Sequence, residues 1–359
     1  MSRLPALLAA VVALTGCRTQ LRYGTPLPVD DTFARVPATG AELERYQAAA
    51  DWSEAHGGRS LLVLRGQDVV FERYAAGNDA ATPHHLFSGT KSFSCALAQS
   101  LVAEGLLELD EPVANTLPEL AGDPRSASVT VDQLLHLVGG VPGGKLALTI
   151  QAMKENPRVQ DQYAESLAAE WTDEPGQAFH YGPNAYNLFG ALVQRKTGDD
   201  PLVWLQGHVL DPIGLRTAGW ARDPAGNPML AQGAWTTPNE WLKYGVLARD
   251  DGQWRGQQVL PPGAFAECAQ GSAANPAYGL TFWLNHDVDR DTVDLAMFDT
   301  LADSGPIFGV GVPSDAFSAA GYHDNRLYIL PSLDLVIARQ ADGDRRFKDD
   351  ELLALILGL

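Results

Sequence analysis

Two residues three apart, Ser88 and Lys91, could do acyl-transfer chemistry. They stand in the stretch Phe87-Ser88-Gly89-Thr90-Lys91-Ser92-Phe93. A serine hydroxyl is a weak nucleophile at neutral pH and needs a base within hydrogen-bond reach. Residues three apart share one face of a helix, so the lysine can be that base if burial lowers its pKa. A serine at a helix start also lies beside backbone N–H groups that can hold an oxyanion. The same spacing also fits a capping serine followed by a solvated lysine, and a bare Ser-x-x-Lys motif does not choose between them. The surroundings favour chemistry. From about Ser92 to Leu107 the sequence predicts a helix with Phe93, Ala96, Leu97, Leu101, Val102 and Leu106 on a broad apolar face. A lysine at the mouth of a buried helix stands at the edge of a core, where lysines are rare.

A proton carrier must complete such a site, and Tyr181 is the candidate. It lies in the Gly/Pro-containing loop Phe179-His180-Tyr181-Gly182-Pro183, just before a helix predicted from Asn184 to about Thr197. Such a loop suits the presentation of a side chain into a cleft. The alternative is a buried aromatic with its hydroxyl satisfied.

The elements that must position these residues are legible in outline. A helix is predicted over Ala41–His56. Two β-rich runs, 60–65 and 69–74, flank the turn Gly66-Gln67-Asp68 and read as a hairpin. A second hairpin is predicted from runs 326–330 and 335–339, and a last helix from about Lys348 to Leu357. β-rich sequence at both ends with helical sequence between them is met by an α/β (α+β) fold. Its antiparallel sheet is built from both chain ends, flanked by helices, with a helical subdomain inserted. The sheet region is expected at about 41–87 and 311–359, and the helical region at about 88–310.

The chain has 359 residues, 45% hydrophobic, enough for one large domain or two intimate subdomains. A net charge of −18 argues against nucleic acid as a partner. The histidines show no metal-ligand spacing, and no glycine-rich phosphate loop follows a strand, so neither metal nor nucleotide cofactor is expected. At the N-terminus Arg3 precedes an apolar run from Leu4 to Leu14 and then Thr15-Gly16-Cys17. That is a secretory signal pattern. Leu14-Thr15-Gly16-Cys17 resembles the lipobox of bacterial lipoproteins, which implies that residues 1–17 are a lipoprotein signal segment cut before Cys17, which becomes the lipidated N-terminus. The lipid would tether the protein to a bilayer at the bacterial cell envelope, periplasm- or surface-facing. Residues 18–40 read as a flexible tether. Cys95 and Cys268 remain; one disulfide is open to them, and a buried free thiol is the expectation for Cys95, which lies on the apolar helix.

The order of these pieces resembles one family, the serine β-lactamases and penicillin-binding DD-peptidases, in its class C-like branch with many esterases and amide hydrolases. The matching pieces are the hairpin at 60–74, Ser88-Gly89-Thr90-Lys91, the stretch Gly105–Val113, Thr130–Leu137, Pro175–Tyr181, Asp211–Leu215, Thr236–Trp241 and the final hairpin. The resemblance covers nearly all of 41–357. It implies Ser88 as acylated nucleophile, Lys91 as its base partner and Tyr181 as general base and acid, with the first proton acceptor left open between the last two. It implies an oxyanion hole from the backbone N–H groups of Ser88 and of Tyr322, which follows Gly321. Two motifs depart from the family. The usual Tyr-x-Asn has Pro183 in third place, with Asn184 one residue late. The usual Lys-Thr-Gly or His-Thr-Gly reads Ala319-Ala320-Gly321, so no cation or hydroxyl is offered to a substrate carboxylate. The implied substrate is therefore a small ester or amide that needs no carboxylate clamp. A β-lactamase or cell-wall peptidase, and a catalytically weak binding lipoprotein, are the alternatives. His323, near this strand, reads as a loop residue.

Overall fold

The computed structural model describes residues 24–144, 160–288, 305–343 and 346–359. Its centre is a seven-stranded sheet: β1 (Ala34–Arg35), β2 (Gly58–Arg65), β3 (Asp68–Tyr74), β4 (Trp283–Leu284), β5 (Phe317–Gly321), β6 (Asn325–Leu330) and β7 (Leu335–Ala341). The spatial order is β1-β3-β2-β7-β6-β5-β4. Strands from the two chain ends therefore meet at the β2–β7 pair, where Val63 faces Ile337 and Leu62 faces Ala338. The near-continuous apolar runs Leu61–Leu64 and Leu335–Ala338 are buried on both faces, as helices covering both sides of a sheet require. On one face lies α4 (Pro238–Arg249), buried along its whole length. It approaches so closely that a Cβ on Gly245 would stand 2.4 Å from Val336 Cγ1. On the other face lie α1 (Gly40–Ala55) and α5 (Asp349–Leu357).

Three expectations change. The sheet is mixed rather than wholly antiparallel, because β1 pairs with β3 in parallel. The supposed tether is docked from at least Asp30 onward. Asp30 accepts from Lys243 Nζ at 2.6 Å and from Arg216 Nη2 at 3.0 Å, Phe33 is buried, and Val36 and Ala38 N–H groups donate to Val69 and Val70 carbonyls. Its prolines marked an extended edge, which reads like a linker because it carries no period. The third change is Cys95, which is bonded to Cys268 across 173 residues of chain rather than a free thiol. The lipobox, Cys17 included, lies outside the described residues.

Candidate active site

Ser88 and Lys91 lie in a 3₁₀ turn, Phe87–Ser92, that runs straight into α2 (Phe93–Ala103). The predicted helix thus begins as a tighter coil and ends four residues early, before Gly105 at φ +66°. The tighter coil serves the site: side chains three apart eclipse in a 3₁₀ turn. Lys91 Nζ stands 3.1 Å from Ser88 Oγ and donates to the Ala231 carbonyl at 2.9 Å. The turn is pinned on several sides. Tyr244 OH donates to the Ser92 carbonyl at 2.5 Å, Ser92 Oγ to the Gly89 carbonyl at 2.8 Å, and Ala234 N–H to Thr90 Oγ1 at 3.1 Å. Phe87, just before the nucleophile candidate, sits at φ +48°, a conformation that a bulky side chain adopts only where its surroundings enforce it.

Lys91 is 1% exposed. No carboxylate pairs with it in the described site, and burial alone pushes its pKa down to about 7. Two aromatic rings face the amine, Tyr181 with its centroid at 4.9 Å and Tyr186 at 5.3 Å. The Tyr181 ring packs against Phe179, Tyr278 and Trp283. Burial pushes its phenol up to about 12, and interactions with the Ser88 hydroxyl and the Trp283 indole pull it partly back. The hydroxyl, the amine and the phenol therefore converge. The same dry surroundings move amine and phenol in opposite directions, so that near pH 7 the phenol keeps its proton and the amine is about half neutral.

β5 closes the other side. A Cβ added to Gly321 would fall 2.0 Å from the Leu86 carbonyl oxygen and 3.1 Å from Gly89 N, so only glycine lets the strand lie this close to the Ser88 turn. That approach brings the Tyr322 peptide beside the turn, while the Tyr322 ring is exposed and meets Phe87 and His323. Ala319 and Ala320 are buried and apolar, as their types require. Asn184 is the first residue of α3 (Asn184–Thr197), and its side chain is engaged elsewhere. Its Nδ2 donates to the Pro142 carbonyl at 2.9 Å and its Oδ1 accepts from Ser166 Oγ at 3.2 Å. His323 adopts φ +62° in the turn after β5. Sequence reasoning missed the Ala231 carbonyl, the buried Tyr186–Tyr278 hydroxyl pair at 2.6 Å, and Trp283. None carried a local signal, since each acts through a fold contact.

Known proteins match this arrangement. The family model described as Beta-lactamase matches residues 38–357. Protein flp of Staphylococcus aureus (strain MW2) is 22% identical over 244 residues, covering 61% of this chain and 48% of that protein. The chain thus spans about half the length of the curated relatives of this kind. A 6-aminohexanoate-dimer hydrolase of Paenarthrobacter ureafaciens is 36% identical over 109 residues, 28% of each chain. Among solved structures, EstCE1, described as a hydrolase with promiscuous acyltransferase activity, superposes with a TM-score of 0.65 at 16% identity. That likeness covers 88% of this chain and 97% of the other.

Proposed function

The chain belongs to the Beta-lactamase family of serine hydrolases, and from that membership we propose that it forms an acyl-enzyme on Ser88 and hydrolyses a small ester or amide. The observation that carries this reading is the buried Lys91 amine, 3.1 Å from Ser88 Oγ and pushed down to about 7. A neutral amine accepts the Ser88 proton as Oγ attacks the substrate carbonyl carbon, and the carbonyl electron pair moves onto oxygen. The N–H groups of Ser88 and Tyr322 receive that oxyanion. When the tetrahedral adduct collapses, the Tyr181 phenol protonates the leaving oxygen or nitrogen and is refilled from the Lys91 ammonium. Water then attacks the acyl-serine by the same route and releases the acid. Tyr181 is pushed up to about 12 and so holds its proton at neutral pH, which favours Lys91 as the first acceptor.

The substrate class follows from what β5 lacks. Ala319 and Ala320 offer no charge to a carboxylate, which favours a neutral substrate over a β-lactam or a peptide with a free C-terminus. The hydrolase descriptions of the 6-aminohexanoate-dimer enzyme and EstCE1 agree with an ester or amide. A fluorophosphonate probe should label Ser88 in the full chain, and Ser88→Ala should abolish labelling and turnover of p-nitrophenyl esters. Labelling by fluorescent penicillin with fast nitrocefin turnover would shift the reading to a lactamase or peptidase. Indifference to every acylating probe would leave a binding protein on this fold.

We also propose that Cys17 is lipidated and holds the domain at the cell envelope. The lipobox-like Leu14–Cys17 supports this, and so does the Cys95–Cys268 disulfide, a bond that persists in oxidising compartments. Metabolic palmitate labelling that survives Cys17→Ala would refute it.

A further inference from the structure

The hairpin that carries the Tyr322 peptide is held from beneath by a buried charge that the mechanism above does not use. β5 and β6 pair Ala320 with Arg326 and Gly321 with Asn325, so the Arg326 side chain leaves the sheet on the side of α5. There its Nε donates to Asp349 Oδ1 at 2.7 Å and its Nη2 to Oδ2 at 3.2 Å, and Tyr328 OH donates to the same carboxylate at 2.5 Å. The remaining arm of the fork turns back to the backbone. Nη1 donates to the Gly321 carbonyl at 3.2 Å and to the Asn325 carbonyl at 3.1 Å. Other turn carbonyls are held as well. Asn325 Nδ2 donates to the Tyr322 carbonyl at 2.8 Å, and Arg339 Nη1 to the Asp324 carbonyl at 2.6 Å. This bracing surrounds two consecutive left-handed residues, His323 and Asp324.

The Gly321 carbonyl and the Tyr322 N–H belong to one planar trans peptide, so they point in opposite directions. A donor that fixes the carbonyl on one side therefore aims the N–H at the other, toward the Ser88 turn. We infer that Arg326, anchored by Asp349, is a positioning residue that sets the direction of the Tyr322 N–H at the oxyanion. A cationic donor on a carbonyl also polarises its peptide, which makes the N–H of the same unit a better donor. Arg326 is not among the groups that touch the Ser88 hydroxyl or the Lys91 amine; besides this peptide, its charge reaches the site as a small lowering influence on the Tyr181 phenol. The inference rests on the reading of Ser88 as the nucleophile.

Removing Arg326 alone would strand the buried Asp349, so the principal variant pairs Arg326→Met with Asp349→Leu. A second variant, Arg326→Lys, keeps a cation for Asp349 but not the planar fork that spans the carboxylate and both carbonyls. Each full-length variant is assayed with p-nitrophenyl acetate and with its thiono analogue, in which sulfur replaces the carbonyl oxygen and accepts hydrogen bonds poorly. Loss of aim should lower kcat on the oxygen ester about 10- to 100-fold with KM little changed, and lower the thiono rate much less. The oxygen-to-sulfur rate ratio should thus shrink in both variants, less in Arg326→Lys. A purely structural role would lower both rates by one factor. That result, or an unchanged ratio in whichever variant folds, overturns the inference. A wild-type chain that turns over neither ester and takes no label at Ser88 instead refutes the nucleophile assignment, and the inference with it.

Discussion

Replacing Lys91 by methionine should make the protein more stable at pH 6 while it removes the chemistry. The reasoning starts from the amine's position, 1% exposed and without a carboxylate partner in the described site. Burial moves its titration from 10.5 to about 7. At 1.36 kcal/mol per pH unit, that displacement costs the native state about 5 kcal/mol wherever the unfolded lysine is protonated and the pH is below 7. Between about pH 7 and 10.5 the unfolded chain binds a proton that the native chain does not, so wild-type stability rises with pH across that window. Methionine removes the cost but leaves the Ala231 carbonyl and Ser88 hydroxyl without their donor, a loss of about 1–3 kcal/mol. The net gain at pH 6 is about 2–4 kcal/mol, or about 3–6 °C in Tm for a chain of this size. Thermal unfolding of both proteins at pH 6, 8 and 9.5 tests it: the gap should be widest at pH 6 and should close or reverse by pH 9.5. Acylation by a fluorophosphonate should fall about 10²–10⁴-fold in the variant. In wild type it should climb about tenfold per pH unit until Lys91 is neutral near pH 7. A gap that ignores pH, or a variant less stable at pH 6, would refute the claim that this lysine is neutralised by desolvation.

Other perturbations read different parts of the same construction. Tyr181→Phe should leave acylation by p-nitrophenyl esters within about tenfold of wild type, because that leaving group needs no proton, yet slow anilide hydrolysis about 10²–10⁴-fold. Equal loss on both substrates would make the phenol the acylating base instead. Gly321→Ala should keep the fold by circular dichroism but cut acylation at least about 100-fold, since its Cβ would push β5 off the Leu86 carbonyl. Wild-type rates there would exclude an oxyanion role for the Tyr322 N–H. Cys95→Ala with Cys268→Ala should lower stability by about 2–5 kcal/mol, because the bond closes a loop of 173 residues, and reductant should reproduce the Tm shift in wild type.

The sequence disclosed what local pattern encodes. Both hairpins, α1, α3 and α5 stand close to the expected positions because their periodicity and turn residues agree with the final environment. Ser88 and Lys91 were legible because their spacing is itself the geometry. The misses share a cause, which is that they depend on partners remote in sequence. β1 has two residues and no alternation of its own; its pairing with β3 defines it. Cys95 sits on an apolar helix face whether or not Cys268 reaches it, so burial alone could not announce the bond. Asn184 stands one residue beyond the expected place for a substrate amide, and whether it turned back was a matter of loop course. The structure gives its amide to Pro142 and its oxygen to Ser166. Arg326 looked like an ordinary strand residue, and nothing in its neighbours pointed to Asp349 or to the Gly321 carbonyl.

The charge states in the pocket explain why the backbone near Gly321 is so tightly built. Desolvation lowers the amine of Lys91 and raises the phenol of Tyr181, so above about pH 7 the site offers a neutral base and a neutral acid around a neutral hydroxyl. On the proposed mechanism, attack on a carbonyl then creates two charges where there were none, an ammonium at Lys91 and an oxyanion at the substrate. The surroundings that kept the ground state neutral also make that separation costly, because among the described residues no carboxylate stands by the amine to receive it. Two aromatic faces near 5 Å ease the ammonium. The oxyanion can be eased only by fixed dipoles, since a flexible or wet donor would have to reorganise during the step. A neutral Lys–Tyr pair and a braced Gly321–Tyr322 peptide are thus two halves of one requirement. A variant that loosens the peptide should lose rate even though Ser88, Lys91 and Tyr181 keep their places.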